Sequence, residues 1–144
     1  LPQWKFLVIG RGWENFIQEN RFGFLDNFEY RTFTKNNRIE SFSKSSIFLS
    51  LSNLEGGPVP LLESIAMDLV PVVTNTGFAA DVIRDNINGV IIPINPTIED
   101  IVKAIEKAST LIGNTTNDFV SSLTWDHFTR ILLADYYSMC LLNS

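Results

Sequence analysis

The stretch Ile47-Phe-Leu-Ser-Leu-Ser-Asn-Leu-Glu-Gly-Gly-Pro-Val-Pro-Leu-Leu-Glu63 constrains the fold more than any other part of the chain. Its apolar start, Ile47 to Leu51, reads as a buried strand, and the Gly-Gly-Pro-x-Pro breaker then opens a helical pattern. Pro60 suits a first helical turn, where its missing N–H costs nothing, so the helix is expected to start near Pro58 to Pro60. Strand, tight loop and helix in this order leave the helix N-terminus facing the carboxyl end of the strand.

Such an N-terminus joins unpaired backbone donors to the positive end of the helix dipole, and Gly56 and Gly57 let a ligand approach the backbone closely. An anion site is expected there. Glu55 and Glu63 bracket it, and they are the only charged residues from Ser45 to Met67, with no Lys or Arg between Lys44 and Arg84. Alone, each reads as a solvated surface carboxylate. On a helix as apolar as Val59 to Met67, however, Glu63 has no local ion-pair partner, and burying it unpaired costs roughly several kcal/mol. Water or the hydroxyls of a ligand are expected to satisfy it.

Leu54-Glu-Gly-Gly-Pro-Val-Pro-Leu-Leu-Glu-Ser-Ile-Ala-Met67, followed by Val70-Pro-Val-Val-Thr-Asn-Thr-Gly77 and Asn88-Gly-Val-Ile-Ile-Pro93, resembles the C-terminal, donor-binding domain of GT-B glycosyltransferases of family 4. The likeness runs from about Trp4 to Tyr137 and is strongest from Ile47 to Pro93. It implies a Rossmann-like α/β fold, an open and mostly parallel sheet with helices on both faces. It also implies retaining, metal-independent transfer of a hexosyl group from a nucleoside-diphosphate sugar, such as a UDP- or GDP-sugar, to a glycan or lipid-linked acceptor in polysaccharide synthesis. No cofactor is implied. Carried over by motif, Glu63 accepts hydrogen bonds from the ribose, and Glu55 contacts the donor sugar and is the candidate catalytic residue. Gly56, Gly57 and Val59 line the diphosphate and sugar, while the base lies near Thr34 and Lys35.

Two departures stand out. Pro58 replaces a second glycine of many members and removes a backbone donor. The basic pair that neutralises the diphosphate lies on an earlier strand and loop, which places it upstream of Leu1 if Lys5 to Gly10 is the second strand of the domain. A rival alignment makes Lys5 to Arg11 the first strand, with Arg11 as the phosphate arginine. Under the first alignment the chain, residues 1–144, is one domain of a longer enzyme whose N-terminal GT-B domain supplies acceptor contacts and any peripheral membrane contact. Without that half, little or no transferase activity is expected. The competing class is a non-catalytic nucleotide-binding or protein-interaction module on the same fold, since fold alone does not fix function.

Composition excludes much else. The chain of 144 residues, 45% hydrophobic and 19% charged, suffices for one core. A net charge of −5 with scattered basic residues gives no footprint for nucleic acid. Apolar runs such as Phe6 to Ile9 fall far short of a membrane span, and no signal peptide is expected ahead of them. A lone Cys140 forms no internal disulfide or cysteine metal site and suits a cytoplasmic protein, and the one histidine, His127, reads as a polar residue in the first turn of a terminal helix.

The rest of the chain alternates. Lys5 to Gly10 and Phe28 to Phe33 read as strands, the second with Phe28, Tyr30 and Thr32 on one face. Gly10-x-Gly12 invites a dinucleotide reading, but Asn15 stands where the third glycine belongs. Trp13 to Asn20 has helical spacing, and Trp13, Trp125 and the phenylalanines read as core. Asn36 to Ser45 reads as a polar helix showing Ile39 and Phe42 to the core. Pro71 to Asn75 and Val90 to Ile94 read as strands, separated by a short helix from Ala79 to Arg84 and a turn at Asn86-Ile-Asn-Gly89 that tolerates positive φ. Thr97 is expected to cap a helix with Ile98, Ile101, Val102, Ile105, Ala108 and Ile112 on one face, stopped by Gly113. A polar linker, Asn114 to Asp118, leads to a last helix starting near Thr124.

Overall fold

The computed structural model describes residues 1–114, Ser122 and residues 124–142. Strand and helix alternate as β1 (Phe6–Gly10), α1 (Glu14–Glu19), β2 (Phe28–Thr32), α2 (Lys35–Ser43), β3 (Ile47–Ser50), α3 (Val59–Ala66), β4 (Val70–Thr74), α4 (Ala79–Val82), β5 (Val90–Ile92), α5 (Ile98–Ser109) and α6 (Trp125–Leu142). A short 3-10 turn at Phe22–Phe24 fills the aromatic stretch before β2. Every strand pairing is parallel. The Rossmann-like α/β fold is therefore present, but it is divided between a β1-β2 pair and a β3-β4-β5 sheet.

The larger sheet shows why its sequence is so uniformly apolar. Val70, Val72, Val90 and Ile92 point to one face and pack with Ala104 and Ala108 of α5. Val73 points to the other face, where Leu61 and Ile65 of α3 and Ala79 of α4 meet it, with Phe48 and Ile91 at the margin. Because side chains alternate across a strand, covering both faces requires a continuous apolar run, as in β4, whose five residues are all buried.

Turn chemistry sets the connections. Thr97 and Asp100 form a complete capping box at the start of α5, as their spacing predicts. Gly113 has φ 76° past the end of that helix. In the Asn86 to Gly89 turn, the left-handed residue is Asn86, with φ 60°. Gly89 serves a different purpose, because a Cβ there would lie 2.7 Å from Pro71 Cγ and 2.9 Å from Pro71 O. Asn88 is buried and locks the turn, its Oδ1 accepting from Arg84 N–H and its Nδ2 donating to Val82 O.

Four expectations about the core are corrected. β3, expected as a buried strand, is an outer strand of its sheet with no fully buried residue, and Leu49 and Leu51 are exposed. On α2, Phe42 is buried but Ile39 is 51% exposed, since the short helix turns only one narrow face inward. On α5, Ile98 is 82% exposed and Ala104, Ile105 and Ala108 form the buried stripe, since the first turn overhangs the sheet. Trp13 is half-exposed and edge-on to Phe16, its indole lying where a side chain on Gly10 would be, and among the described phenylalanines only Phe42 is buried, while Phe16, Phe24 and Phe128 are exposed. Thr124 opens α6 as expected, its Oγ1 accepting from His127 N–H. The linker beyond Asn114 and the side chains of Trp125, Tyr136, Met139 and Cys140 lie outside the described residues.

Candidate functional site

The candidate loop, residues 51–58, leaves the carboxyl end of β3 and enters α3 through Pro58 as N-cap, with Pro60 in the first turn. A second loop, after β4, supports it. Gly77, at φ 55°, sits so close that a Cβ would lie 3.1 Å from both Glu55 O and Pro58 Cδ. Phe78 stands beside Gly57, and Thr74 Oγ1 donates to Ser52 O. Two adjacent strand ends thus hold the loop from behind and leave Gly56 and Gly57 exposed.

The helix end is poorer in donors than its position alone implies. Pro58 and Pro60 have no N–H, and Leu61 N–H is already bonded to Pro58 O at 2.9 Å. What remains for a ligand is Val59 N–H together with the glycine backbone. Val59 is largely exposed, and Glu55 is half-buried beside the loop.

Glu63 lies on the second turn of α3, on a helix fixed by the buried Leu61, Ser64 and Ile65. The expectation that no ion-pair partner would meet its carboxylate, leaving it to water or a ligand, is corrected, because the partner comes from another helix. Arg38 of α2 reaches across and places Nη2 2.8 Å from Glu63 Oε1. Both side chains are partly buried, at 25% and 31% exposure. The other oxygen, Oε2, is buried and has no hydrogen-bond partner among the described residues.

Arg38 is held in turn. Its guanidinium carbon lies 5.7 Å from the centre of the Phe33 ring, and that of Arg11 lies 5.3 Å from the same ring. Phe33 N–H bonds Gly10 O at 2.8 Å, which ties the ends of β1 and β2 together. Thr34 caps α2 by accepting from Asn37 N–H, and Asn37 Nδ2 donates to Thr32 O. Lys35 is exposed beside them. The structure therefore brings Glu63, Arg38, Phe33 and Arg11 into one chain of contacts running from α3 to the end of β1. Arg38 is not legible from the sequence around Glu63, because it arrives from a different helix. The available signal was its spacing of one turn from the inward-facing Phe42.

A second polar cluster lies on the β1-β2 side. Tyr30 donates to Glu14 Oε1 at 2.9 Å, and Thr32 Oγ1 reaches the same oxygen at 3.4 Å, as their shared strand face requires. The Glu14 backbone N–H and then Tyr30 hold the Glu14 carboxyl below its ordinary value, while desolvation and the carboxylate push Tyr30 up. A cleft of about 390 Å³ opens beside them, lined by Arg21 and Phe24 among others. Neither Glu55 nor Glu63 lines it. Among the described residues, no group of three or more metal-ligating side chains comes together, and no helix is long and apolar enough to cross a membrane.

The family described as Glycosyl transferases group 1 matches residues 1–119. Comparison with curated proteins gives no match. Among solved structures, the apo form of the lipopolysaccharide outer core galactosyltransferase WaaB is similar, with a TM-score of 0.74, 17% identity, and 94% of this chain covered. HepE of Anabaena in complex with UDP-glucose is similar with a TM-score of 0.65, 15% identity and 96% of this chain covered. At such identities the likeness is one of fold. The chain spans 41% of the first structure's length and 42% of the second's.

Proposed function

Because the chain belongs to the glycosyl transferases group 1 family, we propose that it is the C-terminal, donor-binding domain of a GT-B enzyme of family 4. Its ligand is a nucleoside-diphosphate sugar. Glu63 accepts hydroxyl protons of the ribose, and Glu55 contacts the donor sugar and takes part in transfer. Gly56, Gly57 and Val59 line the diphosphate. The acceptor is a glycan or lipid-linked sugar of the kind used in polysaccharide or lipopolysaccharide synthesis. The reaction retains configuration and needs no metal or cofactor, its work being orientation of the reactants and stabilisation of the leaving diphosphate. The enzyme acts in the cytoplasm, with membrane contact through its other domain.

The observation that carries this reading is the half-satisfied carboxylate of Glu63, with Oε1 on Arg38 and Oε2 buried and unpartnered. A carboxylate is an acceptor on both oxygens, and a ribose hydroxyl that reached Oε2, which is covered in this structure, would supply the donor it lacks. Two similar folds, of HepE, were solved with UDP-glucose and with UDP and glucose.

The sheet order supports the domain reading. Doubly wound sheets commonly run 3-2-1-4-5-6. If β1 and β2 are the second and third strands of that order, the pairs β2-β1 and β3-β4-β5 are its two flanks. The rival alignment, with β1, β2 and β3 as the first three strands, would place β3 beside β2 and β4 beside β1, whereas β3 pairs with β4. This favours phosphate-neutralising residues upstream of β1 over that role for Arg11.

Calorimetric titration with UDP, GDP and their sugars tests the proposal. Saturable binding that prefers one base and weakens at least about tenfold in Glu63→Ala, from loss of a charge-assisted bond, is expected. Binding that ignores Glu63→Ala would favour an interaction module. Transferase turnover by the isolated chain would refute the two-domain reading.

A further inference from the structure

We propose that Arg38 is a positioning residue for the donor nucleotide, acting through Glu63; this rests on the donor-site reading above. The Glu63 carboxylate has two oxygens and one protein partner. Arg38 Nη2 holds Oε1 at 2.8 Å, and the buried Oε2 has no hydrogen-bond partner among the described residues. A carboxylate left to rotate would spread its acceptor capacity between two orientations. Pinned by a guanidinium, it keeps one orientation toward an arriving diol, whose hydroxyl must open the contacts that cover Oε2 to reach it.

The pin is itself built. Arg38 leaves α2 four residues before the buried Phe42 and is braced on the Phe33 ring, which Arg11 faces at 5.3 Å. Phe33 is tied by its N–H to Gly10 O, and the first turn of α2 is tied to β2 through Asn37 and Thr32 O. Glu63 stands on a helix whose neighbouring Ser64 and Ile65 are fully buried. Both partners are thus anchored to separate elements before any ligand arrives. An ion pair of this kind, partly buried and between elements, is poorly explained as a surface contact, since exposed pairs contribute little and cost side-chain freedom. Its consequence is directional: it selects which carboxylate oxygen a diol meets. Lys at this position would keep the charge but lose the planar fork and the ring contact.

The test compares UDP with 2′-deoxy-UDP, and GDP with its deoxy counterpart, on the 144-residue chain and on Arg38→Ala, Arg38→Lys and Glu63→Ala, with melting temperatures recorded for each. Loss of one charge-assisted ribose contact corresponds to about 10- to 100-fold in affinity. The wild-type chain is expected to prefer the ribonucleotide by about that factor, and Arg38→Ala to lose most of that preference while Arg38→Lys recovers part of it. Arg38→Ala that melts lower yet keeps the full ribose preference would show a structural brace only and overturn the inference. Tighter binding in Arg38→Ala would overturn it too, by showing that Arg38 competes with the ligand. A wild-type chain indifferent to both nucleotides, or a Glu63→Ala variant with unchanged affinity, would sink the donor-site reading and this inference with it.

Discussion

The β3-β4-β5 sheet and the β1-β2 pair use similar strands, but only β4 and β5 carry buried residues. In the first, helices cover both faces, and nearly all the buried hydrophobic residues lie between Leu61 and Ala108. In the second, all five residues of β1 are only half-buried, and Phe42 of α2 is the sole buried hydrophobic residue before Leu61 among those described. A parallel strand needs neighbours on both edges and cover on both faces. β4 has them all, whereas β1 pairs on one edge. Stability is therefore expected to concentrate in the second half, and the candidate site lies where the two regions meet, with Glu63 from one and Arg38 from the other.

Truncation should expose this contrast most strongly. Ile65→Ala removes a fully buried side chain and is expected to cost about 2–5 kcal/mol, whereas Leu7→Ala in β1 should cost roughly 1 kcal/mol. Urea midpoints at constant slope would measure both, and equal losses would break the comparison. Glycines sharpen it next. Gly89→Ala forces a Cβ against the Pro71 backbone and should cost about 1–3 kcal/mol, while Gly56→Ala meets nothing within 4 Å and should stay within about 0.5 kcal/mol in thermal melts.

Smaller effects come from the edge of the buried region. Thr97→Ala removes the N-cap of α5 and should cost about 1 kcal/mol by denaturant titration. The Asp100 carboxyl is held below its ordinary value of 3.8 by Thr97, side chain first and then backbone. Its contribution is accordingly complete above that value and is lost as pH falls through the lowered one. Asp100→Asn should therefore be less stable than the parent at pH 7 and approach it below pH 3.8, as melting curves across that range would show.

Legibility in the sequence followed the same division. The apolar runs of β3, β4 and β5, the proline-broken entry into α3 and the Thr97 capping box are local signals, and each appears where its pattern puts it. The sequence suggests backbone freedom as the reason for Gly89, but the requirement comes from Pro71, a neighbour that only the folded sheet supplies. Ile39 and Ile98 looked inward by spacing and are exposed, because spacing defines a face and not what covers it. Glu55, Gly56, Gly57, Val59 and Glu63 lie within one short stretch, so a donor-site proposal for them can be made from sequence alone. Arg38 arrives from another helix, and no local pattern around Glu63 announces it.

The most direct test of the central claim is where a nucleotide lands. Amide chemical shifts of the isotopically labelled chain, followed while UDP or GDP is added, would locate it. The account predicts shifts concentrated at Gly56, Gly57, Val59 and Glu63 and spreading to Phe33 and Arg38 across the ion pair. Shifts confined to the cleft beside Glu14 and Tyr30, with the Gly56 and Glu63 amides unmoved, would contradict it.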